Sequence, residues 1–302
     1  MIIETQQLRK SFGNKVAVED LSLTVEAGEV FGFLGPNGAG KSTTIKMLLG
    51  LVYPTSGSAT LLGKPLGDPS ARASVGFLPE HFRFHDWLTA TEFMEMHANL
   101  CGLSRAEGHQ QSAALLDLVG LAPHAARQLG TYSKGMQQRL GLAQAMLGQP
   151  ALIILDEPTS GLDPVGRRLV RDIIRKLRTE GTTVFINSHL LSEIEVTCDR
   201  VAFIKRGRII HQAPLDELMA GELRLEAKVG PISEAVKAGL ARWTPHLRHE
   251  GNVLHMTLAN EGMVAEVNRY LVEAGVPVYG LQRDRLSLEE LFLQIVGEES
   301  SA

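Results

Sequence analysis

A glycine-rich segment at residues 35–43 carries the strongest chemical signal in the chain. It reads Gly-Pro-Asn-Gly-Ala-Gly-Lys-Ser-Thr, with the spacing G-x-x-x-x-G-K-S, between the apolar run VFGFL and the helical pattern TTIKMLL. Glycines let backbone amides curl around phosphate oxygens, and the following helix adds its N-terminal dipole. We expect Lys41 to reach the β- and γ-phosphates of a nucleotide and Ser42 to ligate Mg²⁺. The residues predicted to contact the nucleotide here are Gly35, Asn37, Gly38, Ala39, Gly40, Lys41, Ser42 and Thr43.

Two adjacent carboxylates follow the longest apolar run of the chain. Asp156 and Glu157 come directly after Ala151–Leu155, a run that is typical of a buried strand. Such a strand would place Asp156 at its tip beside the phosphate loop, where it can hold Mg²⁺ through water. Glu157 would then face the γ-phosphate as the base that activates water. The pair alone would mean little, but with the loop it predicts nucleotide hydrolysis.

Four further motifs accompany the loop and the carboxylates. Ser133 and Gly135 lie in the segment TYSKGMQQRL, and Ser133 stands 23 residues before Asp156. The segment SGLD ends at Asp163, NSH ends at His189, and Phe12 lies near the N-terminus. Taken singly, Ser133 is best explained as a helix cap and His189 as a structural histidine.

The order and spacing of these motifs over residues 2–220 resemble the ATP-binding cassette (ABC) family. The resemblance implies that Phe12 stacks on adenine and that His189 senses the γ-phosphate beside Glu157. It also implies that two copies sandwich two ATP molecules. In that arrangement Ser133 and Gly135 contact the ATP bound by the other copy, and Asp163, in the segment that resembles the D-loop, is also a nucleotide-binding residue. ATP and Mg²⁺ are the implied cofactors.

Two segments depart from the common pattern of the family. Glu80, in Val75-Gly-Phe-Leu-Pro-Glu80, stands where the family usually carries glutamine, and Lys134 and Met136 replace a glycine and a glutamine of the signature. A glutamate can still offer oxygen to Mg²⁺ and to water, so we assign Glu80 to the metal and catalytic residues. Its negative charge near the phosphates leaves its exact role open.

These departures and the C-terminal segment SLEELFL resemble the ATPases of bacterial ABC-2-type exporters. Members of that subfamily serve drug-resistance, polysaccharide, sodium and copper-enzyme maturation systems. The resemblance implies a separate ABC-2-type transmembrane permease as partner. It places the chain at the cytoplasmic face of the inner (cell) membrane, held there peripherally through the permease. The transported substrate cannot be deduced from this chain.

The elements needed to position these motifs are those of an α/β fold. Short apolar runs separated by helical patterns predict a parallel core sheet, and residues 2–25 predict a small antiparallel sheet. Residues 86–148 show helical patterns only and predict an inserted helical subdomain. We assign residues 1–221 to the ATPase domain. Residues 222–302 follow the order β-α-β-β-α-β with a final helix, which predicts a ferredoxin-like α+β module.

Composition limits the other classes of function. The 302 residues carry a formal net charge of −4, which argues against a nucleic-acid partner, because neutralising phosphates requires a basic surface. No run approaches the length of a transmembrane helix, no signal peptide is visible, and the two cysteines fit no ligand spacing. The alternative function is that of a soluble ABC ATPase acting on nucleic acid, on the ribosome or as an assembly scaffold.

Overall fold

The computed structural model describes residues 1–219, 223–244, 247–285 and 287–298. The chain divides into two compact units, Met1–Pro214 and Leu215–Ala302. The predicted domain boundary after residue 221 lies outside the described residues. Within the described ranges, no helix combines the length and the apolar composition needed to cross a bilayer.

Ten strands build the sheet of the first unit. They are β1 (Ile3–Phe12), β2 (Lys15–Val25), β3 (Val30–Leu34), β4 (Ser56–Leu61), β5 (Lys64–Pro65), β6 (Val75–Leu78), β7 (Leu152–Asp156), β8 (Thr183–Asn187), β9 (Arg200–Lys205) and β10 (Arg208–Pro214). The helices are α1 (Lys41–Leu48), α2 (Pro69–Arg72), α3 (Ala90–Leu100), α4 (Arg105–Leu118), α5 (Lys134–Ala145), α6 (Pro164–Thr179) and α7 (Leu191–Glu195).

The order of the strands is β5-β4-β1-β2-β10-β9-β3-β8-β7-β6. Strands β9, β3, β8, β7 and β6 run parallel, whereas β1, β2, β4 and β5 pair antiparallel. The predicted parallel sheet and the predicted antiparallel sheet are therefore both present. The structure joins them into one ten-stranded sheet, and the sequence did not indicate this joining. The joint is the hairpin strand β10, which pairs with β2 at Arg208 and Asp20 and is supported by an ion pair of 2.9 Å between Arg208 and Glu19.

The three central parallel strands, β3, β8 and β7, are buried along their whole length, as their uninterrupted apolar runs predict. Phe31 and Phe33 of β3 pack their rings against Phe185 of β8, with centroids 5.7 and 5.4 Å apart. Parallel strands bring all their carboxyl ends to one edge of the sheet. Asp156 and Asn187, the last residues of β7 and β8, are register partners at this edge. The loop that follows β3 leaves from the same edge.

The inserted subdomain is helical, as predicted, and each of its helices begins at a side-chain cap. Thr89 and Glu92 form a capping box on α3, and Ser104 and Glu107 form a second one on α4. Helix α5 begins at Ser133, whose hydroxyl accepts the amide of Met136 at 3.2 Å. Two short 3₁₀ turns, Ala122–His124 and Leu129–Thr131, connect α4 to α5.

The second unit confirms the predicted order β-α-β-β-α-β with a final helix. Its elements are α8 (Leu215–Met219), β11 (Leu223–Val229), α9 (Glu234–Leu240), β12 (Leu247–Glu250), β13 (Val253–Leu258), α10 (Gly262–Glu273), β14 (Val278–Arg285) and α11 (Leu288–Glu298). The antiparallel sheet has the order β12-β13-β11-β14, in which β11 pairs with β13 and β14. This split arrangement is the ferredoxin-like topology. Leu225, Leu254 and Leu271 lie in its apolar core.

Candidate functional site

The glycine-rich loop connects β3 to α1 and has a shape that only glycine allows at two positions. Gly40 has φ +111°, and a Cβ there would lie 2.6 Å from the carbonyl oxygen of Ala17. A Cβ on Gly35 would lie 2.2 Å from the carbonyl oxygen of Ile204. In the part of the chain that the structure describes, no acceptor takes a hydrogen bond from the amides of Gly38, Gly40, Lys41 or Ser42. This run of unpartnered donors at the start of a helix is a cradle for phosphate oxygens.

The amino group of Lys41 lies inside this loop. The residue is 8% exposed, and its Nζ donates to the carbonyl oxygens of Gly35 at 2.7 Å and Pro36 at 3.2 Å. Burial lowers the pKa of Lys41, and the carboxylates of Glu157, Asp156 and Glu80 oppose that shift. The structure therefore brings three predicted carboxylates close enough to act on the predicted phosphate-binding lysine.

Asp156 ends β7 as a buried carboxylate. Its Oδ1 accepts a hydrogen bond from Nδ2 of Asn187, its register partner on β8. Burial raises the pKa of Asp156, the Asn187 hydrogen bond lowers it, and the charges of Glu80 and Glu157 raise it further. A buried carboxylate with like charges beside it fits a divalent cation, whose charge would offset both effects. The available donors are hydroxyl and carboxylate oxygens, from Ser42, Asp156 and Glu80, which suit Mg²⁺.

Glu157 is held at both its main chain and its side chain. It has φ +55°, a left-handed conformation that is uncommon for a residue with a side chain. Its amide donates to the carbonyl oxygen of Asn187 at 2.8 Å. Its carboxylate accepts the amide of His189 at 3.0 Å and lies 2.7 Å from Nδ1 of the same histidine. The imidazole is 61% exposed, so its other face is open to a ligand.

Two predicted residues lie farther out on the surface of the site. The side chain of Glu80 is 50% exposed and lies 3.9 Å from Nδ1 of His81, while its charge still acts on Lys41 and Asp156. Phe12 ends β1 with half its surface exposed, and Nζ of Lys10 lies 4.9 Å above its ring. An exposed ring with one face available can stack on a nucleobase.

The remaining predicted residues form a second cluster. Ser133 caps α5, and Asp163 caps α6 by accepting the amide of Gly166 at 2.7 Å. A Cβ on Gly135 would lie 3.4 Å from Leu162, so the starts of the two helices adjoin. Within the described part of the chain, no hydrogen bond or ion pair joins residues 133–136 or Asp163 to the loop at 35–43.

Sequence reasoning assigned no role to two polar residues of the site. Asn187 binds Asp156 through its amide nitrogen, and its buried Oδ1 has no partner among the described residues. Gln138, on α5, donates from Nε2 to the carbonyl oxygens of Glu157 and Pro158, both at 3.1 Å. A signal for Gln138 was available, because it precedes Gly141, Leu142 and Ala145 at the spacing of a buried helix face.

Comparisons with known proteins agree with this geometry. Residues 18–160 match the family model described as ABC transporter. The chain is 39% identical over 307 residues to an uncharacterized ABC transporter ATP-binding protein of Synechocystis, covering 98% of this chain and 85% of that protein. It is 35% identical over 302 residues to the bacitracin transport ATP-binding protein BcrA of Bacillus licheniformis, covering 98% and 97%. It is 34% identical over 301 residues to the Nod factor export ATP-binding protein I of Burkholderia lata, covering 98% and 97%.

Solved structures show the same cassette. A structure described as the ATP binding subunit of an ABC transporter superposes with a TM-score of 0.68 at 30% identity, covering 72% of this chain and 92% of that one. A dimeric ATP-binding cassette in a post-hydrolysis state, bound to ADP and Pi, gives a TM-score of 0.65 at 25% identity, covering 70% and 98%. The predicted cassette fold is thereby confirmed. The chain belongs to the ABC transporter family, in which it is an ATP-binding and ATP-hydrolysing subunit.

Proposed function

We propose that Glu157 is the general base of ATP hydrolysis and that His189 orients it and contacts the γ-phosphate. The observation that carries the proposal is the position of Glu157. Its carboxylate is tied to His189 at 2.7 Å on the sheet edge where the glycine-rich loop and Lys41 also lie. A base must be held within reach of the water whose proton it takes, and two contacts from one histidine achieve that.

The nucleotide would lie along the loop. The free amides of Gly38, Gly40, Lys41 and Ser42 point to phosphate recognition, and Lys41 would exchange its contact with the Gly35 carbonyl for one with the phosphates. The other loop residues in contact with the nucleotide would be Gly35, Asn37, Ala39 and Thr43. The exposed ring of Phe12 would stack on adenine.

Mg²⁺ would be held by Ser42, Asp156 and Glu80. When bound, it supplies positive charge that neutralises the phosphates as charge develops on them. Asn187 keeps the Asp156 carboxylate in place through a direct hydrogen bond. Glu80 is half-exposed, so its carboxylate is free to approach or leave the metal side of the site.

A second copy of the chain would complete each site. Ser133, Gly135 and Asp163 lie together and make no hydrogen bond or ion pair with the loop of their own chain in the described residues. They are therefore available to the ATP held by another copy. A cassette solved as a dimer bound to ADP and Pi supports this arrangement. ATP between the copies would close the dimer, and hydrolysis would open it.

The opening and closing would drive export through a separate ABC-2-type permease at the cytoplasmic face of the inner membrane. Support comes from the names of the relatives, which describe bacitracin transport and Nod factor export. The segment at residues 81–88 would receive the permease, since it begins directly after Glu80 and its Trp87 is 68% exposed.

We assign residues 1–221 to the ATPase domain and 222–302 to an accessory module. No nucleic-acid partner is expected, since the net charge is −4 and the arginines of α6 at positions 168, 171, 175 and 178 form ion pairs.

Glu157→Gln tests the assignment of the base. The amide cannot take a proton from water, so we expect hydrolysis to slow by about 10²–10⁴-fold while ATP affinity is kept. Glu180→Gln, at an exposed carboxylate at the end of α6, is the matched control and should keep wild-type turnover. Near wild-type turnover in Glu157→Gln would show that Glu157 is not the base.

A further inference from the structure

A glutamine of α5 binds the main chain that carries the proposed base. Gln138 stands five residues after Ser133, and its side chain is 2% exposed. Its Nε2 donates to the carbonyl oxygens of Glu157 and Pro158, each at 3.1 Å. Both acceptor residues are buried, and removing the amide would leave the Glu157 carbonyl with the amide of Ser160 alone and take this donor from the Pro158 carbonyl. These two hydrogen bonds link α5 directly to the turn after β7.

The conformation of Glu157 depends on contacts such as this link to α5. A residue with a side chain and φ +55° keeps that conformation only when its surroundings fix it. Asn187 fixes the amide at 2.8 Å, and His189 fixes the carboxylate. The carbonyl oxygen accepts hydrogen bonds from Nε2 of Gln138 and from the amide of Ser160, each at 3.1 Å, so Gln138 is the restraint on this side that comes from α5. The direction of the carboxylate depends on all of these restraints.

The same helix begins at the residue assigned to the other ATP. Ser133 caps α5, and the proposed function places it against the ATP held by a second copy. A helix is stiff over five residues, because consecutive turns are hydrogen-bonded to each other. A displacement of its first turn therefore reaches Gln138, and from there the peptide of Glu157.

We propose that Gln138 is a positioning residue for hydrolysis, one that couples the base of each copy to the ATP bound by the other copy. Its amide holds the main chain at Glu157, so the contact that Ser133 makes across the dimer sets the position of the carboxylate. The inference rests on the proposed roles of Glu157 and Ser133. Gln138 thereby connects the two sites directly.

Gln138→Met tests the coupling, because methionine has a similar length but no donor. We expect kcat to fall at least about tenfold, which corresponds to about 1.4 kcal/mol of barrier. Equilibrium binding of labelled ATP, and the number of nucleotides bound per folded chain, should stay as in the wild type. Gln144→Met is the matched control, since Gln144 is a half-buried residue of the same helix, and it should keep wild-type kcat. If Gln138→Met does not fold, Gln138→Asn keeps the amide but shortens its reach, and the same loss of kcat is expected.

The double variant separates positioning from a general loss of structure. If Gln138 acts through Glu157, then adding Gln138→Met to Glu157→Gln should change the residual single-turnover rate by less than about twofold. The proposal would be overturned if Gln138→Met lowered the rate of Glu157→Gln by the same factor as it lowers the wild-type rate. ATP binding that falls in parallel with kcat would also overturn it. So would wild-type kcat in Gln138→Met. If Glu157→Gln itself hydrolyses ATP normally, the assignment of the base fails instead, and the two failures are distinguishable.

Discussion

Removing the charge of Lys41 should weaken ATP binding strongly and leave the fold intact. In the structure, Lys41 is 8% exposed, and its Nζ donates to two carbonyl oxygens of the glycine-rich loop. A unit charge about 4 Å from a phosphate charge contributes about 4 kcal/mol at an effective dielectric constant of about 20. Part of this is offset, because the ammonium gives up its hydrogen bonds to the loop when it turns to the ligand. We therefore expect Lys41→Met to lose about 2.7–4 kcal/mol, or about 10²–10³-fold in ATP affinity.

Lys46→Met provides the matched control for this measurement. Lys46 lies on the same helix α1 but is exposed, so the substitution changes the net charge equally without touching the loop. The assay is equilibrium binding of a fluorescent ATP analogue to both variants, with thermal unfolding as the check on folding. Burial disfavours the charged lysine in the nucleotide-free chain, so Lys41→Met should unfold close to the wild-type temperature. An affinity within about threefold of wild type for Lys41→Met would refute the assignment of the loop as the phosphate site.

Substitutions at three further residues test the metal site and the shared interface. Burial raises the pKa of Asp156 in the folded chain above its value in the unfolded chain. Between these two pKa values the folded chain binds more protons than the unfolded chain, so its stability falls as pH rises through this range. Asp156→Asn should therefore raise the melting temperature of the nucleotide-free protein at pH 7.5, by about 2–4 °C for each kcal/mol gained in the free energy of unfolding. The same substitution should abolish hydrolysis. A lowered melting temperature would contradict this reasoning. Glu80→Ala should raise the Mg²⁺ concentration for half-maximal hydrolysis several-fold, whereas Glu80→Gln should keep most activity; identical Mg²⁺ titrations would exclude Glu80 from the metal site. Ser133→Arg should keep ATP binding by the single chain but eliminate hydrolysis, and normal turnover would rule out a role across the dimer.

The parallel strands and the edge where they end were predictable because each signal is local. VFGFL, VGFL and ALIIL are apolar runs too short for helices, and they are followed by Gly35, by Pro79 with Glu80, and by Asp156. Since the strands are parallel, the residues that follow them had to meet at one edge. The pairing of Asp156 with Asn187 shows that they do. Helix caps such as Asp163 were equally local, because a short polar side chain before Pro164 is sufficient to indicate one.

Contacts between distant segments were not predictable in the same way. Nothing in the sequence near Gln138 indicates that its amide reaches residues 157 and 158, because that contact depends on how α5 packs over the turn after β7. The left-handed backbone of Glu157 is a similar case, since its cause is the set of contacts around it rather than its own side chain. The joining of the two sheets through β10 also required the register of Arg208 with Asp20.

The formation of an ATP-bound dimer by Glu157→Gln tests the central claim most directly. Slow hydrolysis should preserve the nucleotide between the copies, so light scattering after size-exclusion chromatography should show about twice the mass of one 32.9 kDa chain with ATP and Mg²⁺. The same variant should elute as a single chain with ADP, and adding Ser133→Arg should prevent the dimer with ATP. A single chain in the presence of saturating ATP and Mg²⁺, or a dimer that forms regardless of nucleotide, would contradict the account.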